Sequence, residues 1–179
     1  MKILSGELRG RPFAQPQTRA VRPLSDKVRA ALFDVIGPVT GFTVLDAYAG
    51  SGAAGFEAIS RGAVLVDAVE SSGPIAKTIE GNAKTLKLDW GYNLHVQTVE
   101  TWLASPRQNP PAPRYDLIIA DPPYARLEPD VLQRLAAFLK PGGVLVVSHS
   151  SKLPAPDLAV ELAVAKTYGD TALSFYKLK

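Results

Sequence analysis

Residues 44–62 read VLDAYAGSGAAGFEAISRG. An apolar run leads into a glycine-rich turn, and an alanine-rich segment follows as far as Gly62, so the stretch predicts a buried strand, a tight loop and a helix in that order. Taken literally, Gly50, Gly52 and Gly55 form G-x-G-x-x-G, the pattern that in dinucleotide-binding sheets sets backbone amides against a pyrophosphate at a helix N-terminus. Asp46 stands four residues before Gly50. A carboxylate at the mouth of such a loop repels a pyrophosphate and attracts an ammonium group.

Downstream the same alternation continues. AVLVDAVE reads as a second strand, Pro74 to Leu88 as a helix, NLHVQTV as a third strand and ETWLA as a short helix. SPRQNPPAPR is a proline-rich loop, YDLIIAD a fourth strand, EPDVLQRLAAFLK a helix closed by Pro141-Gly142-Gly143, and VLVVSHS a fifth strand. Strands alternating with helices imply a parallel sheet covered on both faces. The final segment, LAVELAVAKTYGDTALSFYKL, holds two strand-like runs around Gly169-Asp170, a two-residue hairpin signal, so an antiparallel pair ends the sheet.

Upstream, SDKVRAALFDVIG places Val28, Ala31, Leu32, Val35 and Ile36 on one helical face, with Ser25 or Asp26 as N-cap and Gly37-Pro38 as the stop. PQTRAVRP reads as an irregular connection, and ILSGELRGRPFAQ as a small β-hairpin. The first 30 residues carry seven basic side chains against two acidic ones, whereas the whole chain of 179 residues has a net charge of only +3. A basic segment on a nearly neutral body suggests a polyanionic partner.

Composition narrows the chemistry. At 46% apolar residues the chain can bury one ordinary core, which makes a single domain the simplest expectation. Residues 1–24 would form a basic extension and 25–179 the ligand-binding core. No run of 18 apolar residues and no secretory leader is visible, so a cytoplasmic location is expected. The absence of cysteine removes thiolate chemistry and cysteine zinc sites, and no metal is expected. His95 and His149 fall on strand patterns and read as packed or hydrogen-bonded side chains, while Trp90 and Trp102 read as core or edge aromatics.

Glu70, at the end of the second strand, can accept hydrogen bonds from both hydroxyls of a ribose. With Asp46 it suits a ligand that has a cationic amino-acid end and a free ribose, and S-adenosyl-L-methionine has both. The fourth strand ends at Asp121-Pro122-Pro123-Tyr124. Two prolines fix φ and remove two amide donors, leaving the Asp121 carboxylate and the Pro122 carbonyl as acceptors beside the Tyr124 ring. An exocyclic amine on a base could donate to both acceptors while the base stacks on the ring.

At LSGELRGRPF, RPLSDKVRAALFDVI, VLDAYAGSGAAGFEAISRGA, AVES, ADPPY and YGDTAL the chain resembles the class I S-adenosylmethionine-dependent methyltransferases, and within them the RsmD family of bacterial 16S rRNA guanine-N2 methyltransferases. It departs from the family pattern at Leu24, Lys27 and Ser72. The resemblance implies a Rossmann-like α/β fold with a seven-stranded, mostly parallel sheet, and methyl transfer to the N2 amine of a guanine in 16S rRNA. An N6-adenine DNA or RNA methyltransferase and a non-catalytic RNA-binding module are the alternatives.

It also implies roles. Asp46, Tyr48, Gly50, Ser51 and Gly52 would hold the methionine end of the cofactor, Glu70 its ribose, and Ser71, Thr98 and Val99 its adenine. Ser25, Asp26 and Arg29 would close over it. Asp121, Pro122, Pro123 and Tyr124 would hold the target amine, and Arg9, Arg11, Arg19 and Arg22 would grip RNA phosphates. The expected partner is 16S rRNA or the assembled small subunit, met by a monomer.

Overall fold

The structure is a computed structural model, and it describes residues 1–17, 24–88, 90–105, 114–123 and 127–178. Seven strands form one sheet: β1 (Thr43–Asp46), β2 (Leu65–Glu70), β3 (Tyr92–Val96), β4 (Tyr115–Ala120), β5 (Leu139–Ser150), β6 (Glu161–Tyr168) and β7 (Thr171–Lys177). Their order across the sheet is β3-β2-β1-β4-β5-β7-β6. The first five are mutually parallel, and β7 runs antiparallel to both β5 and β6. Strand order reverses between β1 and β4, where an open α/β sheet leaves a crevice at its carboxyl edge.

The helices are α1 (Asp26–Ile36), α2 (Ala53–Ser60), α3 (Gly73–Leu86), α4 (Val99–Ala104) and α5 (Pro129–Ala136). Alternate strand residues face two separate apolar clusters. Val44, Val66, Leu117, Ile119 and Val146 join the cluster that includes residues of α1, α2 and α3. Leu45, Val69, Ile118, Leu145 and Val147 join the one that includes residues of α4 and α5. Both faces of the central strands are thus buried, which is why they read as continuous apolar runs. No helix among the described residues is long and apolar enough to cross a membrane.

One expectation about elements changes. α5 ends at Ala136, and Lys140-Pro141-Gly142-Gly143 belongs to β5 instead of closing the helix. The Phe138 carbonyl accepts from the Arg114 and Tyr115 amides, so the backbone turns to start pairing with β4. The register then skips from Tyr115–Leu139 to Leu117–Val144, with Gly142 at φ +77° taking up the excess chain.

The N-terminal β-hairpin is short: Lys2 bridges Pro12, Met1 and Phe13 exchange backbone hydrogen bonds, and Ile3 donates to the Arg11 carbonyl and accepts from the Gly10 amide. Its pairing stops at Ile3, because the Leu4 and Ser5 amides donate to the Glu57 carboxylate of α2 at 2.9 Å. Ile3 and Phe13 are buried in the first apolar cluster, so the segment is docked on the core. The proline-rich loop lies almost wholly outside the described residues.

Candidate active site

The carboxyl edge of the sheet carries a cavity of about 880 Å³, within the size range that holds a cofactor-sized ligand. Asp46 is the last residue of β1 and Glu70 the last of β2, and Asp121 follows β4 directly. The three carboxylates therefore meet where strand order reverses. Asp46, Tyr48, Gly50, Ser51, Glu70, Ser71, Thr98, Val99, Asp121, Pro122, Pro123 and Ser25 all line the cavity.

The glycine loop is shaped by these acids. Asp46 accepts the Gly55 amide of α2 at 3.0 Å. One Glu70 oxygen accepts from the Gly50 amide at 2.9 Å and the other from the Ser72 amide at 2.7 Å. Each carboxylate oxygen has a further lone pair, so Glu70 is oriented by the backbone and still able to accept hydroxyls from the cavity. Gly52 does not line the cavity. It caps α2 at φ +77°, and a Cβ there would meet the Phe56 ring at 2.8 Å, so its part is to let the loop close down on the helix.

Burial dominates the electrostatics. Asp46 is 2% exposed, and its carboxyl is pushed up to about 7 by desolvation and by the charges of Asp121 and Glu70, against the pull of the Gly55 amide. Burial also pushes Asp121 up to about 6. The buried Ser148 hydroxyl beside it draws Asp121 back down in part. Tyr48 is pushed up to about 12 by burial and by Glu100 and Glu128, so it remains a protonated donor. The site gathers acceptors around the crevice, which favours a cationic, hydroxyl-bearing guest over a phosphorylated one.

Arg29 corrects the expectation that it closes over a ligand. Its side chain is fully buried and does not line the cavity. One guanidinium nitrogen donates to the Lys2 carbonyl at 2.8 Å and to Asp26 at 3.1 Å, and Nε lies 3.6 Å from Glu57. Asp26 is likewise engaged with Arg29 and stands off the cavity. The Ser25 hydroxyl accepts from the Val28 amide as the helix N-cap.

Arg9 and Arg11 are exposed on the N-terminal segment, while Arg19, Arg22 and Tyr124 lie outside the described residues. His95 bonds Asp67 at 3.1 Å, and both ring nitrogens of His149 are engaged. Trp102 is core, whereas Trp90 is 69% exposed. No group of His, Cys, Asp and Glu able to hold a metal ion occurs among the described residues.

Sequence reasoning missed several walls of the cavity, among them Leu24, Val28, Gln97 and the turn Tyr168–Thr171. For the turn a signal existed: YGDTAL carried part of the resemblance without a role attached.

The family model described as "Conserved hypothetical protein 95" matches residues 1–177. The chain is 31% identical to "Putative rRNA methyltransferase YlbH" of Bacillus subtilis over 99% of this chain and 98% of that one. It is 32% identical to "Ribosomal RNA small subunit methyltransferase D" of Escherichia coli over 70% of this chain and 61% of that relative's length. Among solved structures, "Putative methyltransferase yhhF" from Escherichia coli superposes with a TM-score of 0.88 at 26% identity, covering 100% of this chain and 98% of its own.

Proposed function

The chain belongs to the conserved hypothetical protein 95 family, and from that membership we propose that it transfers a methyl group from S-adenosyl-L-methionine to the exocyclic N2 amine of a guanine in 16S rRNA. The observation that carries the reading is the placement of Asp121-Pro122-Pro123 on the same cavity as Asp46 and Glu70, across the point where strand order reverses. The names of the Bacillus and Escherichia relatives support RNA as the substrate.

The donor set fits the cofactor. Asp46 and the glycine loop suit its ammonium end, Glu70 its ribose hydroxyls, and Ser71, Thr98 and Val99 the base beyond. When bound, the cofactor supplies a methyl group on a sulfonium; the amine forms the new N–C bond as the S–C bond breaks, and S-adenosylhomocysteine leaves. Asp121 and the Pro122 carbonyl accept from the two N–H groups of the guanine amine, which localises a lone pair otherwise delocalised into the ring and fixes its direction of attack. Asp121 then takes the proton that the methylated amine must lose. Tyr124 is assigned the stacking face, and Arg9, Arg11, Arg19 and Arg22 the phosphates.

Nucleoside mass spectrometry of 16S rRNA, before and after incubation with protein and cofactor, tests the reading. The expected product is N2-methylguanosine. Asp121→Ala is expected to be nearly inactive and Asp121→Asn slower by on the order of a hundredfold. N6-methyladenosine as the product would replace guanine with adenine, and undiminished activity in Asp121→Ala would remove the mechanism.

A further inference from the structure

The turn between β6 and β7 has no part in the scheme above, yet it walls the same cavity. Because β7 runs antiparallel to β5, with Ser150 opposite Thr171 and Val144 opposite Lys177, the turn lies at the carboxyl end of β5. β4 runs parallel to β5, with Ala120 opposite Val147, so Asp121 stands on the same edge. The turn thus borders the target side of the cavity, and β1 and β2, with Asp46 and Glu70, lie on the other side of β4.

The turn is also held in place from outside. Gly169 takes φ +63°, the Ser151 amide donates to the Asp170 carbonyl at 2.9 Å, and the Ser151 hydroxyl donates to the Gly169 carbonyl at 2.8 Å. The Asp170 side chain is exposed at the cavity and has no hydrogen bond or ion pair among the described residues. A bare carboxylate on a surface that meets a polyanion is unfavourable unless the nucleic acid brings it a donor.

We propose that Asp170 determines specificity for the target base by accepting the N1–H of the guanine whose N2 amine is held at Asp121; the inference rests on the methyltransferase reading. Guanine, adenine and cytosine each offer an exocyclic amine that could donate to Asp121 and Pro122. They differ at the neighbouring ring nitrogen, which in guanine bears a hydrogen and in adenine and cytosine bears a lone pair. A carboxylate at that point attracts guanine and repels the other two, so discrimination comes as much from the repulsion as from the bond.

The test compares the unaltered protein with Asp170→Asn and Asp170→Ala on two RNAs, one with guanosine at the mapped target and one with 2-aminopurine, which keeps the N2 amine but has a lone pair at N1. The unaltered protein should prefer guanosine. In Asp170→Asn, kcat/KM for guanosine should fall on the order of ten- to a hundredfold, and the preference should narrow or invert, because an amide can donate to the unprotonated nitrogen. Asp170→Ala should lose guanosine activity without that gain. Affinity for S-adenosylhomocysteine should be unchanged in both variants.

Unchanged guanosine kcat/KM and unchanged preference in Asp170→Asn would overturn this inference alone. Loss of S-adenosylhomocysteine affinity in both variants would overturn it too, by placing Asp170 on the cofactor. Failure of the unaltered protein to methylate guanine would take down the methyltransferase reading and this inference with it.

Discussion

At the scale of single residues, the carboxyls of Asp46 and Asp121 are held near 7 and near 6 chiefly by burial. Both folded values lie above the ordinary aspartate value, so the stability these groups contribute is fully present below about pH 4 and is lost as the pH rises through 6 to 7. A cationic guest reverses the preference at Asp46, because an ammonium beside the carboxylate favours the charged form. Affinity for S-adenosylhomocysteine should therefore rise between pH 5.5 and 7, by up to about tenfold per unit where ionisation limits binding, and level off above 7. Asp46→Asn should bind more weakly and lose this pH dependence. Calorimetry across that range checks both, and a flat profile in the unaltered protein would mean that Asp46 does not meet the ammonium.

Among the elements, α2 joins two tasks. Its N-terminus carries the glycine loop, and its buried Glu57 accepts the Leu4 and Ser5 amides and the Arg61 guanidinium while lying beside Arg29. Removing one member of a buried charged network leaves the others uncompensated. Glu57→Ala should therefore cost about 3 to 5 kcal/mol and lower the melting temperature by on the order of 10 °C. Gly6→Ala should also destabilise, since a Cβ there would sit 1.8 Å from the Ser60 carbonyl oxygen. Thermal denaturation of each variant is the measurement. Little of this network is legible in the sequence, because Arg29 and Glu57 lie far apart and a charged residue within a helical pattern ordinarily reads as solvated. The parallel strands are legible because burial on both faces makes them unbroken apolar runs, and the reversal at Gly169-Asp170 because two turn residues announce it. The end of α5 is not, since Leu135, Ala136, Phe138 and Leu139 suit a helix as well as a strand until the Phe138 carbonyl meets the Tyr115 amide. Asp46, Glu70 and Asp121 are readable as strand-end acids, whereas the wall at Tyr168–Thr171 depends on how β7 pairs.

For the whole molecule, the exposed Arg9 and Arg11 ride on a segment pinned to α2, so the basic charge is presented by a fixed surface. Arg9→Ala with Arg11→Ala should weaken RNA binding and lower the slope of log affinity against log salt by roughly 0.7 to 0.9 per lost phosphate contact, with S-adenosylhomocysteine affinity unchanged. Filter binding across a salt series reads this directly, and an unaltered slope would assign the contacts elsewhere. The order of strands carries a consequence for synthesis. β7 is made after β6 yet lies between β5 and β6, so during translation β6 emerges with no strand to pair with and the sheet cannot close until residues 171–177 have left the ribosome. One wall of the cavity therefore waits on that strand, and a chain whose translation stops short of it has neither a covered core nor a finished site with which to modify RNA.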